Sequence, residues 1–392
     1  MGANVGERLR EVRKRRGLSQ RELANESGVS LSLIRKLEQG EREDARLETV
    51  RRLAAALRVP TTQLVVASRA EDDVVDADAQ WKPLRRALLT SSVVDTVDEP
   101  PTTAGVRQAL DAAMPLFSGD RFVELSTILP SLLRDAEALV RSDPEGRAVR
   151  ARILQLTGWL LTQMRQFDAA EAALERSMDE SSDRLHSAAT ASITCWLLLR
   201  RGRLGEARDL ASRWADEVEP RLSRATPAEL SAWGWLLLRM SAAAVRDNRP
   251  GEAEDAIRLA HAAAVALGRE YTPEGNFLQA FGPVTVALKR AENAMVVDRP
   301  DLVLKLAANV PVHGLRPTSN NRNRHLLDVA NAHARTRQYA EAVDILAGLR
   351  ATAPQWFPKQ RYAQDIVSGI LARRRTLTPE MRSLADAVGM PV

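Results

Sequence analysis

Two adjacent basic residues, Arg35 and Lys36, follow Ser30-Leu31-Ser32-Leu33-Ile34 in a segment otherwise short of charge. Arginine and lysine carry donors that reach guanine O6 and N7 in the major groove, whereas a leucine such as Leu31 meets only a thymine methyl or a sugar. With Ile34 and Leu37 turned inward at helical spacing, Ser30, Leu31, Ser32, Arg35 and Lys36 are left on the outer face. The chemistry these residues suit is recognition of base edges.

Such a face needs a rigid frame, and the flanking residues supply one. Ser19 is placed to N-cap a short helix, and Glu22, three residues on, completes a capping box. Gly28 stops that helix, because glycine takes a left-handed turn without steric cost. Ser30 caps a second helix, whose Ile34 and Leu37 face the same way as Leu23 and Ala24 of the first, and Gly40 ends it. Two capped helices joined by a tight glycine turn predict a helix-turn-helix, whose second helix fits the major groove. Upstream, Val5, Leu9 and Val12 predict a helix ending at Gly17. Downstream, Leu47, Val50, Leu53, Ala54 and Leu57 predict another closed by Pro60, with a short fifth helix over 61–66.

Through Leu18-Ser19-Gln20, Glu22-Leu23-Ala24, Ser27-Gly28-Val29-Ser30, Ile34 and Leu37-Glu38-Gln39-Gly40, residues 1–66 resemble the repressor-like DNA-binding domain of the xenobiotic-response-element family. The resemblance implies that Gln20 grips a phosphate at the start of its helix and that Gln39 and Arg42 flank the far side. It also implies that Arg13 and Glu38 form an internal ion pair tying the first helix to the recognition helix, a structural role.

Charge agrees with that division. Residues 1–66 hold 14 Lys+Arg and 9 Asp+Glu, which accounts for the whole formal net charge of +5. An excess confined to one end is the footprint expected when only that end meets phosphate. The single cysteine, Cys195, excludes an internal disulfide and fits a reducing cytoplasm; its apolar surroundings, Ile193–Leu199, predict a core residue. No apolar run is long enough to span a membrane and no signal peptide precedes the first helix, so a cytoplasmic protein without membrane contact is expected. His186, His261, His313, His325 and His333 are scattered, with no i, i+4 pair, so no metal site is expected. Phosphate-loop, nucleophile-elbow and dinucleotide motifs are absent, which predicts no cofactor and no enzyme.

At 392 residues the chain needs a further domain. Residues 71–78 place five acids in eight positions and predict a solvated tether, and Asp98-Glu99-Pro100-Pro101 is a second break. Between them, Trp81 and Leu84–Leu89 predict a bridging helix, so the linker region is 67–102. From 103 to 392 the pattern is helical, giving an all-α chain. Six turn-like segments recur, at Asp120-Arg121-Phe122, Gln166-Phe167, Arg203-Leu204, Arg249-Pro250, Arg299-Pro300 and Gln338-Tyr339. The small or apolar positions that close them (Leu125, Ala170, Ala207, Ala253, Val303 and Ala342) are spaced 45, 37, 46, 50 and 39 residues apart. Tryptophan-bearing helices precede three of them, and Trp159, Trp196 and Trp235 read as core filler. A turn followed by a small residue at a close crossing is the logic of tetratricopeptide-like hairpins, stretched beyond the ideal of about 34 residues. About six would stack into a superhelix with a concave wall.

With Trp81-Lys82-Pro83-Leu84, Leu129-Pro130-Ser131-Leu132-Leu133, His325-Leu326-Leu327-Asp328 and Leu384-Ala385-Asp386-Ala387, the whole chain resembles actinobacterial regulators that join this head to a tetratricopeptide-like sensor. The architecture is also similar to the peptide-sensing quorum regulators of Gram-positive bacteria. The resemblance implies a transcriptional regulator, often of secondary metabolism or development. On the expected wall, Arg324, Asp328, Asn331 and Arg335 form one stripe at helical spacing, and Asn293, Gln163 and Arg200 lie on earlier first helices. Arginines and an asparagine there suit a carboxylate or a peptide backbone. The expected protein is a homodimer on a pseudo-palindromic operator in double-stranded DNA, with a small-molecule or peptide effector. The alternative is a ligand-independent regulator whose repeats only dimerise or dock a partner protein.

Overall fold

The structure, a computed structural model, describes residues 5–41, 45, 47–57, 59, 64, 79–89, 101–140, 144–181, 183–272, 279–310, 319–374 and 376–390. The fold is all-α. Among the described residues the one β feature is an isolated antiparallel bridge between Tyr271 and Phe281. Arg42, the acidic run 71–78, residues 98–100, His313 and all but position 64 of the expected helix over 61–66 lie outside the described residues.

Four helices form the N-terminal unit: α1 (Val5–Arg15), α2 (Gln20–Ser27), α3 (Leu31–Glu38) and α4 (Leu47–Ala56). They close on one core that includes Leu9, Leu23, Ile34, Leu37 and Leu53, all at most 1% exposed. Burial of these side chains holds together helices too short to persist alone in water. Each boundary has a local cause. Ser19 Oγ accepts from the Glu22 backbone N–H (3.2 Å) while Glu22 Oε2 accepts from the Ser19 N–H (2.7 Å), the expected capping box. Gly28 is left-handed at φ 63°, and Ser30 Oγ accepts from the Leu33 N–H at 3.3 Å.

A bridging helix α5 (Lys82–Leu89) then leads into a long array. Its first six pairs are α6 (Thr103–Ser118) with α7 (Phe122–Leu139), α8 (Pro144–Gln163) with α9 (Phe167–Glu180), α10 (Arg184–Arg201) with α11 (Leu204–Glu217), α12 (Pro227–Arg246) with α13 (Pro250–Leu267), α14 (Pro283–Val296) with α15 (Pro300–Ala307), and α16 (Ser319–Arg335) with α17 (Tyr339–Thr352). A seventh pair, α18 (Arg361–Leu371) and α19 (Pro379–Ala387), follows. First helices pack on first helices in series, from α6 to α18; the second helices of the first five pairs pack between their own partner and the next first helix, whereas α17 packs against α16 and α19.

The six aligned segments share one backbone conformation. Asp120, Arg165, Gly202, Asn248, Asp298 and Arg337 all lie at φ between 55° and 76°. Each is followed by a residue at ψ between 62° and 71°. That residue's N–H reaches back five positions to a carbonyl: Arg121 to Leu116, Gln166 to Leu161, Arg203 to Leu198, Arg249 to Ala244, Arg299 to Ala294 and Gln338 to His333, all at 2.8–2.9 Å. This six-to-one bond satisfies a carbonyl that the helix end would otherwise orphan. The small or apolar position that follows is buried in every pair, from Leu125 to Ala342. Small residues also set the crossings on the other side. A Cβ on Gly158 would meet Leu174 Cγ at 2.5 Å, and one on Gly234 would meet Phe281 Cζ at 2.0 Å.

The array does not stay open. Gln163 on α8 donates to Asn320 on α16 (3.0 Å), Asn323 donates to Asp120 in the first turn (3.1 Å), and Gln355 donates to Glu124 (3.1 Å). One hydrophobic core therefore runs through Phe117, Trp159, Leu327 and Trp356, joining the first pairs to the last. The concave wall expected from stacking is enclosed by this seam, because side-chain contacts between distant pairs curl the stack onto itself.

Candidate nucleic-acid interface and inner-wall cluster

The outer face of α3 carries Ser32, Arg35 and Lys36, all exposed, with Ser30 and Gln39 exposed at its two ends and Leu31 half-buried. Among the described residues no other side chain hydrogen-bonds to Ser32, Arg35 or Lys36, while their backbone is fixed from behind. Arg13 Nε and Nη2 grip the two Glu38 oxygens at 2.7 Å each, and Arg13 Nη1 donates to the Leu18 carbonyl at 2.8 Å. Gln20 Nε2 adds a third donor to Glu38 Oε2 at 2.7 Å. Burial works to raise the Glu38 pKa, but the Arg13 and Gln20 hydrogen bonds outweigh it and hold the carboxyl below its ordinary value. Gln20, expected on a phosphate, thus spends its amide nitrogen on tying α2 to α3.

A second clamp comes from α4. Arg52 Nε donates to the Ser27 carbonyl (3.0 Å) and Nη2 to the Gly28 carbonyl (2.6 Å), so one guanidinium holds the turn between α2 and α3. Sequence spacing gave no sign of it, since its targets are backbone atoms 24 and 25 positions away.

Residues 9–64 match the helix-turn-helix family. The chain is 32% identical over 92 residues to the HTH-type transcriptional repressor RghR of Bacillus subtilis (strain 168), covering 24% of this chain and 68% of RghR. It belongs to the helix-turn-helix transcriptional regulators. It is also 41% identical over 63 residues to the uncharacterized HTH-type transcriptional regulator RghRB, and 27% identical over 89 residues to the HTH-type transcriptional regulator SinR, both of the same bacterium. These matches cover 16% and 23% of this chain, and 45% of RghRB and 80% of SinR. The chain thus spans less than half the length of RghRB, and at least three quarters of this chain lies outside each of these matches.

Within that array the seven wall candidates separate. Arg324 and Asp328 face each other, and Arg200 is close enough to Arg324 to feel its charge. Asn331 Nδ2 donates to the Tyr362 hydroxyl at 2.9 Å. Arg335 pairs instead with Asp298 in the preceding turn (2.6 Å), Asn293 donates to Ser241 Oγ (2.8 Å), and Gln163 belongs to the closing seam. The stripe on α16 therefore splits, because its two ends meet different neighbours.

Sequence reasoning missed most of what surrounds Arg200 and Arg324. Arg239 lies over the rings of Trp235 (4.9 Å to the centroid) and Trp196 (5.9 Å), and Arg200 lies over Trp196 at 5.9 Å. Lys289 and Arg246 both hold Glu292, at 2.8 Å and 2.5 Å. Trp196 and Trp235, read as core filler, do pack in the hydrophobic core, and their rings also carry cations. The signal was present in Cys195-Trp-Leu-Leu-Leu-Arg200 and Gly234-Trp-Leu-Leu-Leu-Arg239, which place the two arginines at equivalent repeat positions. Cys195 itself is fully buried, and burial pushes its thiol up to about 12, away from reactivity.

Proposed function

We propose that this chain is a sequence-specific DNA-binding transcriptional regulator that acts as a homodimer, reading DNA with α3. The observation that carries the proposal is the exposed Ser32, Arg35 and Lys36 face on a helix whose other side is buried and held by the Arg13–Glu38–Gln20 network. A rigid helix presenting donors suited to guanine edges is what major-groove recognition needs. Ser30, Leu31, Gln39 and Arg42 complete the contact set in this reading, and the Gln20 Nε2 bond to Glu38 gives that residue a positioning role. Residues 1–66 are the DNA-binding head, 67–102 the linker and 103–392 a tetratricopeptide-like sensor. The shared turn geometry of the six hairpins supports the repeat assignment. The array binds an effector on its inner wall and controls the separation of the two heads, shifting the balance only by its differential affinity for two arrangements. Such a protein works in the cytoplasm.

Footprinting the purified full-length protein upstream of its own gene tests this, with light scattering on the same complex. A protected pseudo-palindrome occupied by two chains is the expected result. Protection of no specific sequence, or a single chain per site, would overturn it.

A further inference from the structure

We propose that the enclosed wall between α10 and α16 is a receptor for a compact organic polyanion carrying two or more carboxylate or phosphate groups. The proposal rests on the sensor role given above to the array and names the chemistry of its ligand.

The first observation is a local excess of positive charge. Arg200, Arg239, Arg246, Lys289 and Arg324 converge from four consecutive first helices, and Arg165 joins them from a turn, beside Arg200. Among the described residues the carboxylates whose charge reaches them are Glu292 and Asp328. Lys289 and Arg246 share Glu292, and Asp328 acts on Arg324 through its charge alone. Among the described residues no carboxylate is in hydrogen-bond contact with Arg200 or Arg239, the latter donating only to Ser192 Oγ at 3.3 Å. Burial pulls both down to about 10; at Arg200 the neighbouring Arg165 and Arg324 add to it. A buried cation without a counterion is expensive, so a fold that retains two of them leaves a large binding energy to an anion.

Unmet hydrogen bonding is the second observation. Arg200 Nε, a strong donor, is buried with no partner, and so are Asp328 Oδ2 and His325 Nδ1 on α16. Native proteins rarely leave such atoms unsatisfied, and a ligand or ordered water is the usual answer. The third is access. Lys289 and Glu292 retain 13% and 11% of their side-chain surface although protein surrounds them, and Arg200, Arg324 and Tyr362 are also only partly covered. All of these residues lie on first helices of the wall that the seam closes. Guanidinium groups stacked on Trp196 and Trp235 keep their edges free for the bidentate contacts that carboxylate and phosphate accept.

All seven tryptophans (Trp81, Trp159, Trp196, Trp214, Trp233, Trp235 and Trp356) lie outside the head, so intrinsic fluorescence reports binding in the array and not on the basic head. The experiment titrates the full-length protein with citrate and, separately, pyrophosphate, at constant ionic strength set with chloride. Expected is a saturable change with at least one probe. It should weaken at least tenfold in Arg200→Gln and in Arg239→Gln, and stay unchanged in Arg258→Gln on the outer surface of α13. Preference for pyrophosphate points to a phosphate-bearing ligand, and preference for citrate to a polycarboxylate. Either variant suffices should the other fail to fold, with circular dichroism as the check. No saturable change with either probe, or wild-type titrations in both folded variants, would overturn the proposal. Footprinting decides the DNA-binding reading independently, so failure of one leaves the other intact.

Discussion

Gln163 and Asn320 lie 157 positions apart, yet the Gln163 amide donates a 3.0 Å hydrogen bond to the Asn320 side-chain oxygen. The same oxygen accepts from Trp356 Nε1 at 3.0 Å. One atom thus joins the second hairpin to the sixth and to the segment beyond it. Asn320→Ala would strand two donors on side chains that are each 1% exposed. The expected cost is about 1–3 kcal/mol for each unsatisfied donor. Urea unfolding followed by tryptophan fluorescence measures it, and an unchanged midpoint would mean that the seam adds no stability.

Base reading is expected to depend on Arg35 more than on any phosphate contact. Arg35→Ala should cost about 1–3 kcal/mol at the preferred site and relax preference at particular base pairs. Lys36→Ala should act similarly at a neighbouring position. Binding selections on randomised DNA test this: an Arg35→Ala protein that recovers the wild-type motif would remove α3 from the groove.

The head should be acid-sensitive through Glu38. Its pKa is lowered in the folded protein, so the stability it contributes is complete above the unfolded value and is lost as pH falls through the folded one. Glu38→Gln leaves Arg13 buried against a neutral group, at a cost of about 3–5 kcal/mol. Hydrogen exchange of the α3 amides should show the variant and wild type converging at acid pH, with a wide gap near neutrality.

His325 gives the array its own acid response. Burial lowers its pKa from 6.5 to about 4, with Lys289 adding repulsion, so folding requires the neutral ring. The unfolded chain binds more protons in that window, and stability must fall as pH drops from 6.5 towards 4. The full loss is on the order of 3 kcal/mol, from about 1.36 kcal/mol per pKa unit. Asp328, raised by burial to about 6, works in the opposite sense, since its folded form takes up a proton there. Comparing wild type with His325→Gln cancels that contribution. Parallel thermal melts showing equal acid slopes would exclude a buried neutral histidine.

The left-handed turn positions should respond to glycine in a predictable direction. Arg337 sits exposed at φ 67°, a conformation costing about 1–2 kcal/mol for a residue with a Cβ. Arg337→Gly is expected to raise stability by up to about 1 kcal/mol, because the glycine's greater unfolded-state freedom offsets part of the gain. Gly202→Ala, at φ 76°, should lower it by a similar amount. Calorimetric midpoints moving in the same direction for both variants would contradict the shared turn conformation.

The sequence by itself determined whatever is written in short-range terms. Ser19, Glu22, Gly28 and Ser30 fix helix ends through bonds spanning three residues, so spacing alone located α2, α3 and the face that Arg35 and Lys36 share. The six array turns were legible for the same reason, since each six-to-one bond closes within a few residues, although five of the six left-handed positions lack the glycine that usually marks them. The clamp of Arg52, on α4, over the helix-turn-helix loop escaped notice because it binds carbonyls, and carbonyls carry no residue identity. The tertiary structure alone decided that the stack closes and that Arg200, Arg239, Lys289 and Arg324 meet. Those contacts depend on small angles at each helix crossing, set by packing such as Leu174 against Gly158 and Phe281 against Gly234 and summed over the array. Periodicity tells which face of a helix is buried; it does not tell which distant helix that face will find.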